Sequence, residues 1–225
     1  AAITLFFRVD TVVITGEKRY TEAEIREVSG VKDGDNLFLL NKYQVIRNIA
    51  EALPYVELEE TRVQRKLPDT LLIEIKECGD PLAWAQDGTV WLVSPGGKIV
   101  EQRNTVGDYP TIDGCRLLAP SVGTLIALDT ENDTRRQSLL ELLAALEAAD
   151  KLGEVDAIHI GNAAYLTMDY MGRFSVELNY DADFAYKLRT LDAILASGKI
   201  QENMTGTFNM RGEDGKTNFI QNSVK

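Results

Sequence analysis

Residues 63–77 have the sequence Val63-Gln-Arg-Lys-Leu-Pro-Asp-Thr-Leu-Leu-Ile-Glu-Ile-Lys-Glu77, the most regular pattern in the first part of the chain. Apolar and polar residues alternate on both sides of a Leu-Pro-Asp-Thr turn, as they do in strands with one dry and one wet face. Pro68 is favoured at the first central position of a turn and disfavoured in a central strand. The stretch therefore predicts a β-hairpin.

The residues before this hairpin predict one more strand and two helices. A capping box begins a helix, a glycine ends it, and a proline ends the next one. The expected elements are a strand at 7–15, a helix that begins at Thr21-Glu-Ala-Glu24 and ends at Gly30, a helix capped by Asn41 with Gln44 and ended by Pro54, and a strand that begins at Tyr55-Val56 and runs to Arg65. This order predicts an α+β unit, a three-stranded sheet with two helices on one face.

Cys78-Gly-Asp-Pro81 predicts a hinge, and a mostly antiparallel β domain that carries two helices is expected after it. We expect one helix capped by Thr134 with Gln137 and a second capped by Asp183. The expected strands are 82–86, 89–94, 98–101, 155–160, 165–170, 173–179, 205–211 and 217–221, with an irregular segment at 104–123. The last two strands form a closing hairpin linked by Gly212-Glu-Asp-Gly215.

Composition excludes several classes of function. Apolar residues make up 44% of the 225 residues, enough for one large or two small cores. The net charge of −11 argues against nucleic-acid binding, which relies on Lys and Arg against phosphates, and against adsorption to anionic lipid. No run of 18 apolar residues is present, so no segment is expected to span a membrane unaided.

The first seven residues, Ala-Ala-Ile-Thr-Leu-Phe-Phe7, are apolar and are followed by Arg8. We interpret them as the tail of a longer apolar anchor; the alternatives are the start of a strand or residues left by cloning. Cys78 and Cys115 are expected to be free thiols, although the sequence leaves a disulfide open. With His159 as the single histidine, we expect no metal site and no cofactor.

The sequence offers few candidates for catalysis. His159 lies in a strand pattern without a nucleophile nearby, so we interpret it as a residue on a strand face. Glu57, Glu59 and Glu60 are expected to be strand charges that discourage edge pairing. Trp84 and Trp91 flank a tight turn, which favours cross-strand packing over a carbohydrate platform. No nucleotide-binding, zinc-protease or serine-hydrolase motif is present, so we expect no enzyme.

Several short sequence motifs resemble those of the FtsQ/DivIB family of cell-division proteins. In the first unit they are Phe7-Arg-Val9, Val12-Val-Ile14-Thr-Gly16, Asn36-Leu-Phe38, Leu53-Pro-Tyr-Val56 and the hairpin stretch. Pro81-Leu-Ala83-Trp and the paired final strands are similar to that family's β domain, whereas Glu17 and Cys78-Gly-Asp80 depart from the pattern. The resemblance implies a POTRA domain at 9–78 and a β domain at 79–225, with 1–8 as the end of a membrane anchor or linker.

The resemblance also implies a function, that of a non-enzymatic scaffold of the divisome. The protein would be a single-pass membrane protein with this region outside the cytoplasmic membrane at the septum. It would bind FtsB/DivIC-type and FtsL-type coiled-coil proteins and so help regulate the septal peptidoglycan synthase complex. The alternatives are a POTRA-containing transport or secretion accessory protein, which a single POTRA copy disfavours, and a cell-wall hydrolase, which the missing nucleophile disfavours.

The expected binding site is the last strand, because an open sheet edge without proline or charge accepts a further strand. Phe219 is the candidate anchor, and Tyr186 and Arg189 are expected to line a groove from the neighbouring helix. An acidic partner segment would pair with Arg189 or Arg211. The predicted partner-binding residues are Thr217, Asn218, Phe219, Ile220, Phe208, Met210, Tyr186 and Arg189.

A second open edge is expected at the strand that ends at Arg65, where the charged residues make addition of an apolar strand unfavourable. Arg65 matches the family's arginine in the hairpin stretch. We expect it to have a structural role, tying the turn to Asp69.

Overall fold

The computed structural model describes residues 7–16, 18–130, 133–212 and 216–222. The chain divides into two compact units, Ala1–Cys78 and Gly79–Lys225, each with its own apolar core. Within these described ranges, no helix combines the length and the apolar character needed to cross a membrane. Residues 1–6 of the expected anchor, and residues 213–215 of the expected final turn, lie outside the described residues.

The first unit is a three-stranded sheet with two helices. Its strands lie in the order β1-β3-β2, with β1 parallel and β2 antiparallel to the central β3. The elements are β1 (Thr11–Thr15), α1 (Glu22–Ser29), α2 (Lys42–Ala52), β2 (Arg62–Lys66) and β3 (Thr70–Glu74). The predicted POTRA architecture is confirmed.

The hairpin forms as the alternation predicts. Arg65 pairs with Leu71 and Val63 with Ile73, so every second residue of each strand lies on the face that is turned towards the core. Leu71 and Ile73 are fully buried, whereas the alternate residues Thr70, Leu72 and Glu74 remain partly accessible. The hydrophobic effect, acting on alternate side chains, therefore sets the register.

Both helix starts in this unit are confirmed. The Thr21 hydroxyl accepts the Glu24 N–H at 3.2 Å, and the Glu24 carboxylate accepts the Thr21 N–H at 2.8 Å, which is the capping box. The Asn41 side chain accepts the N–H groups of Tyr43 and Gln44. These bonds satisfy backbone donors that have no partner inside the helix.

Two strand boundaries in this unit were predicted wrongly. β1 begins at Thr11, because the residues before it bond to a loop: the Val9 N–H donates to Asp35 O at 2.8 Å. The strand expected from Tyr55 is interrupted, since Val56 forms an isolated bridge and the next residues turn before β2 starts. The Thr61 hydroxyl donates to Glu57 O at 2.7 Å and holds that turn, so the three glutamates lie outside the strand.

Arg65 has the structural role that was expected but different partners. Its guanidinium donates to the carbonyls of Leu37, through Nε, and of Leu40, at 3.0 Å. Asp69, the expected partner, accepts the Thr70 hydroxyl at 2.9 Å instead. Arg65 therefore fastens the loop before α2 to the hairpin.

The second unit is built on a nine-stranded sheet. Its strand order is β12-β11-β10-β9-β8-β7-β4-β5-β6, and five of its eight strand pairings are antiparallel. The strands are β4 (Leu82–Gln86), β5 (Thr89–Val93), β6 (Ile99–Arg103), β7 (Thr111–Asp113), β8 (Val155–His159), β9 (Tyr165–Tyr170), β10 (Phe174–Asn179), β11 (Gly206–Asn209) and β12 (Asn218–Gln221).

Two helices, α3 (Thr134–Ala148) and α4 (Phe184–Ala196), join one face of this sheet in a single core. The inner face of α3 consists of leucines at 139, 142, 143 and 146, which are all fully buried. The cap of α3 was predicted wrongly: Asp133 is the N-cap and Thr134 is already helical. The Asp133 carboxylate pairs with the Arg136 guanidinium, so it makes no side-chain cap bond.

β7 lies inside the segment that was expected to be irregular. It joins the two halves of the sheet, because it pairs in parallel with β4 on one side and with β8 on the other. Its central residue, Ile112, is buried. Three residues are too few to show a clear alternation, so the sequence pattern gave no signal for this strand.

Candidate partner-binding edge

The edge strand β12 closes one side of the nine-stranded sheet. It pairs with β11 in antiparallel register, Thr207 opposite Ile220 and Phe208 opposite Phe219. The Asn222 N–H donates to Thr205 O at 2.9 Å, which fixes which residues bond inward. Because bonding alternates along an antiparallel strand, Ile220 bonds towards β11, while the N–H and C=O groups of Phe219 and Gln221 point outward.

The ring of Phe219 points into the core of its own unit. Its centroid lies 4.7 Å from that of Phe208 and 6.2 Å from that of Phe174, and the ring is partly buried. Such pairs add to the stabilisation that burial alone gives. Phe219 therefore anchors β12 to the sheet, and its side chain is not free to anchor a partner in the way that the sequence suggested.

Gly206 makes room for this anchor. A Cβ at this position would lie 2.3 Å from Ile220 O and 2.8 Å from two ring atoms of Phe219. Real side chains do not tolerate such distances, so the edge requires glycine here. A glycine inside a predicted strand is a known sign of close backbone approach, and this signal was present in the sequence.

The other predicted residues of the edge divide into two groups. Phe208 and Met210 are buried, so they support the edge from behind. Ile220, which is 62% exposed, and the exposed Asn218 lie on the opposite face, and Thr217, just before β12, is half-buried. The accessible part of the edge is thus the outward backbone together with the Ile220 side chain.

A cavity of about 250 Å³ lies where β11 ends beside the start of α4. Tyr186, which is 44% exposed, lines it together with Met210 and Arg211. The Lys187 ammonium donates to Gly212 O at 2.7 Å and ties the helix to the end of β11. The structure therefore places Tyr186 near the end of β11, in a cavity that no residue of β12 lines.

The two arginines proposed for an acidic partner differ in their surroundings. Arg211 already pairs with Glu177, Nε to Oε2 at 3.1 Å, and lies 4.5 Å above the ring of Tyr165. Arg189 is exposed, does not line the cavity and makes no ion pair with any described residue. Arg189 is thus the better candidate for an acidic group of a partner.

His159 lies on the strand face, as predicted, within β8. Its ring nitrogens contact Asp113 at 2.8 Å and Asp169 at 3.1 Å. Partial burial disfavours the charged ring, but the hydrogen bonds to the two carboxylates outweigh this effect and raise the pKa of His159 above its ordinary value. The group is a cross-strand electrostatic cluster without a nucleophile.

Two further predictions concern side chains away from the edge. Trp84 lies opposite Trp91 in the β4–β5 pair and is buried, so the expected cross-strand packing is confirmed. The Trp84 indole N–H donates to Cys115 O at 3.2 Å. Cys78 and Cys115 form no disulfide.

The chain is similar in sequence to a family of domains and to several cell-division proteins. Residues 7–77 match the model of the POTRA domain, FtsQ-type. The chain is 22% identical to the cell division protein DivIB of Clostridium botulinum (strain Hall), over 96% of this chain and 83% of that protein. It is 31% identical to the cell division protein FtsQ of Geotalea daltonii, over 73% of this chain and 58% of that protein. It is also similar to DivIB of Clostridium acetobutylicum, with 27% identity over 69% and 61% of the two chains.

Proposed function

Because the chain belongs to the FtsQ/DivIB family of cell-division proteins, we propose that it is a non-enzymatic scaffold that captures a strand of a division partner on β12. The partners are coiled-coil proteins of the FtsB/DivIC and FtsL types. Through them the scaffold helps regulate the septal peptidoglycan synthase complex. An N-terminal anchor holds it at the septum, with this region outside the cytoplasmic membrane.

The observation that carries this proposal is the open edge of β12. Its outward N–H and C=O groups, at Phe219 and Gln221, form a template for one more strand. Its sequence contains no proline and no charged residue. Strand addition takes its affinity from these main-chain bonds and its specificity from nearby pockets, a role that the Tyr186 cavity suits.

A proline at Gln221 tests strand addition separately from folding. Its N–H points outward, so Gln221→Pro removes a donor that the chain itself does not use and places a ring in the path of a partner strand. We expect binding of the extracytoplasmic coiled-coil partner to weaken about tenfold or more, since one lost bond and a steric block cost roughly 1.5 kcal/mol or more. Calorimetry with the partner from the same organism measures this change.

Gln221→Ala is the matched control, because it removes the same side chain and keeps the N–H. We expect it to bind like the unmodified chain. Equal affinity of the proline and alanine variants would contradict strand addition at β12. Absence of binding by the unmodified chain to either coiled-coil partner would contradict the proposed partners themselves.

A further inference from the structure

Three large apolar side chains are exposed at one end of the first unit. Phe38 is 46% exposed, Leu39 78% and Leu67 57%. Phe38 and Leu39 belong to the loop before α2, and Leu67 lies in the turn between β2 and β3. We call these three residues the apolar end. Exposed apolar side chains at one end of a domain commonly mark an interaction surface.

Hydrogen bonds hold the parts of the apolar end together. Arg65, two residues before Leu67, donates to the carbonyls of Leu37 and Leu40 on either side of the exposed pair. The turn is also fixed to the start of β1, because the Asp10 N–H donates to Asp69 O at 2.9 Å. These hydrogen bonds therefore fix the two loops of the apolar end relative to each other.

Phe7, the first residue that the structure describes, lies at this same end of the first unit. The Leu37 N–H donates to Phe7 O at 2.9 Å, and the rings of Phe7 and Phe38 lie edge to face with centroids 5.0 Å apart. The residues that immediately precede Phe7 in sequence include Ile3, Leu5 and Phe6. The apolar end thus continues an apolar sequence that leads into the unit.

Charges at this end nearly balance. Arg8 and Lys66 are exposed there, and so is Asp10, while Asp69 is half-buried. The chain carries a net charge of −11, but this part of its surface does not repeat that excess. Repulsion from anionic headgroups is therefore weak at the apolar end, while exposed Phe and Leu side chains favour the boundary between headgroups and acyl chains.

We propose that the apolar end contacts the lipid surface of the membrane to which the chain is anchored. This inference rests on the membrane anchoring included in the proposed function. Free in solution, three side chains are too few for stable membrane binding. An N-terminal tether raises the local concentration of the surface at the bilayer, so a small apolar contact is sufficient. The contact would fix the orientation of the first unit against the membrane.

Fluorescent labelling of the tethered chain tests this contact. For this experiment, an N-terminal polyhistidine tag is added to the 225-residue chain. The tag binds nickel-chelating lipid in vesicles of phosphatidylethanolamine and phosphatidylglycerol. In a Cys78→Ser, Cys115→Ser background, an environment-sensitive NBD group is attached at Leu39→Cys or Leu67→Cys. We expect the emission of both labels to shift to the blue on tethering, with quenching by spin-labelled lipid.

Glu60→Cys is the matched control, because residue 60 is exposed and precedes β2 at the strand end opposite the turn. Its label should remain in water. Adding Leu39→Ser to the chain labelled at residue 67 should reduce the blue shift there. No shift at residues 39 and 67, or equal shifts at all three positions, would overturn the proposal. So would a shift that occurs only when a coiled-coil partner is present in the vesicles. Calorimetry of partner binding in solution needs no membrane, so its failure and the failure of lipid contact are distinguishable.

Discussion

The aromatic anchor of β12 leads to a quantitative prediction for Phe219→Ala. Replacement of a fully buried phenylalanine by alanine lowers the free energy of unfolding by about 3–5 kcal/mol. The Phe219 ring is only partly buried and contacts the rings of Phe208 and Phe174 on one side. About half of that loss, roughly 2 kcal/mol, is therefore the expected cost, which corresponds to about a thirtyfold change in the docking equilibrium of β12.

This loss should be local. β12 is attached to the sheet through β11 alone, so it can open while the rest of the unit stays folded. Hydrogen exchange read by mass spectrometry should show the inward-bonded amides of Ile220 and Asn222 exchanging about thirtyfold faster in the variant, with residues 165–170 of β9 unchanged. Partner binding should weaken as well, because the template strand is undocked for part of the time.

Ile220→Ala provides the matched control on the same strand. Its side chain is 62% exposed on the opposite face, so we expect less than about 0.5 kcal/mol of change. Unchanged exchange in residues 216–222 of the Phe219 variant would refute the assignment of this ring as the anchor. Faster exchange throughout the second unit would refute the local character of the opening.

Two further predictions concern fold stability. Arg65→Met should lower the free energy of unfolding of the first unit by about 2 kcal/mol, because two partly buried carbonyls lose a charged donor. Urea denaturation measures this change. A change below about 0.5 kcal/mol would contradict the role of Arg65. His159→Gln should lower the urea midpoint more at about pH 5.5 than at about pH 9. The raised pKa means that the charged ring stabilises the fold below the unfolded-state value of about 6.5, and that this contribution disappears as the pH rises through the folded-state value. An equal loss at both pH values would contradict the proposed carboxylate contacts.

Much of the fold follows from local patterns in the sequence. The hairpin at 63–77 and the caps at Thr21, Asn41 and Asp183 were predicted because alternation and capping depend on neighbouring residues. The short strand β7 was missed because only its distant partners β4 and β8 make it a strand. Propensity within three residues does not contain that information.

The candidate site shows the same limit. The location of an open edge at the end of the chain was inferred from composition, but the direction of each side chain depends on pairing with β11. This pairing turns Phe219 inward and leaves Ile220 outside, which the sequence alone did not distinguish. The need for glycine at position 206 likewise follows from the close approach of β12.

The position of β7 also has a consequence for the order in which the second unit folds. The strands on each side of it form mainly through pairing of near neighbours in sequence, whereas Ala83 must find Thr111, and Thr111 must find Ala157, by closing long loops. Loop closure costs entropy before the contact repays it, and such non-local pairings slow folding. We therefore expect two locally formed halves that join late along β7, with the buried Ile112 side chain completing the seam.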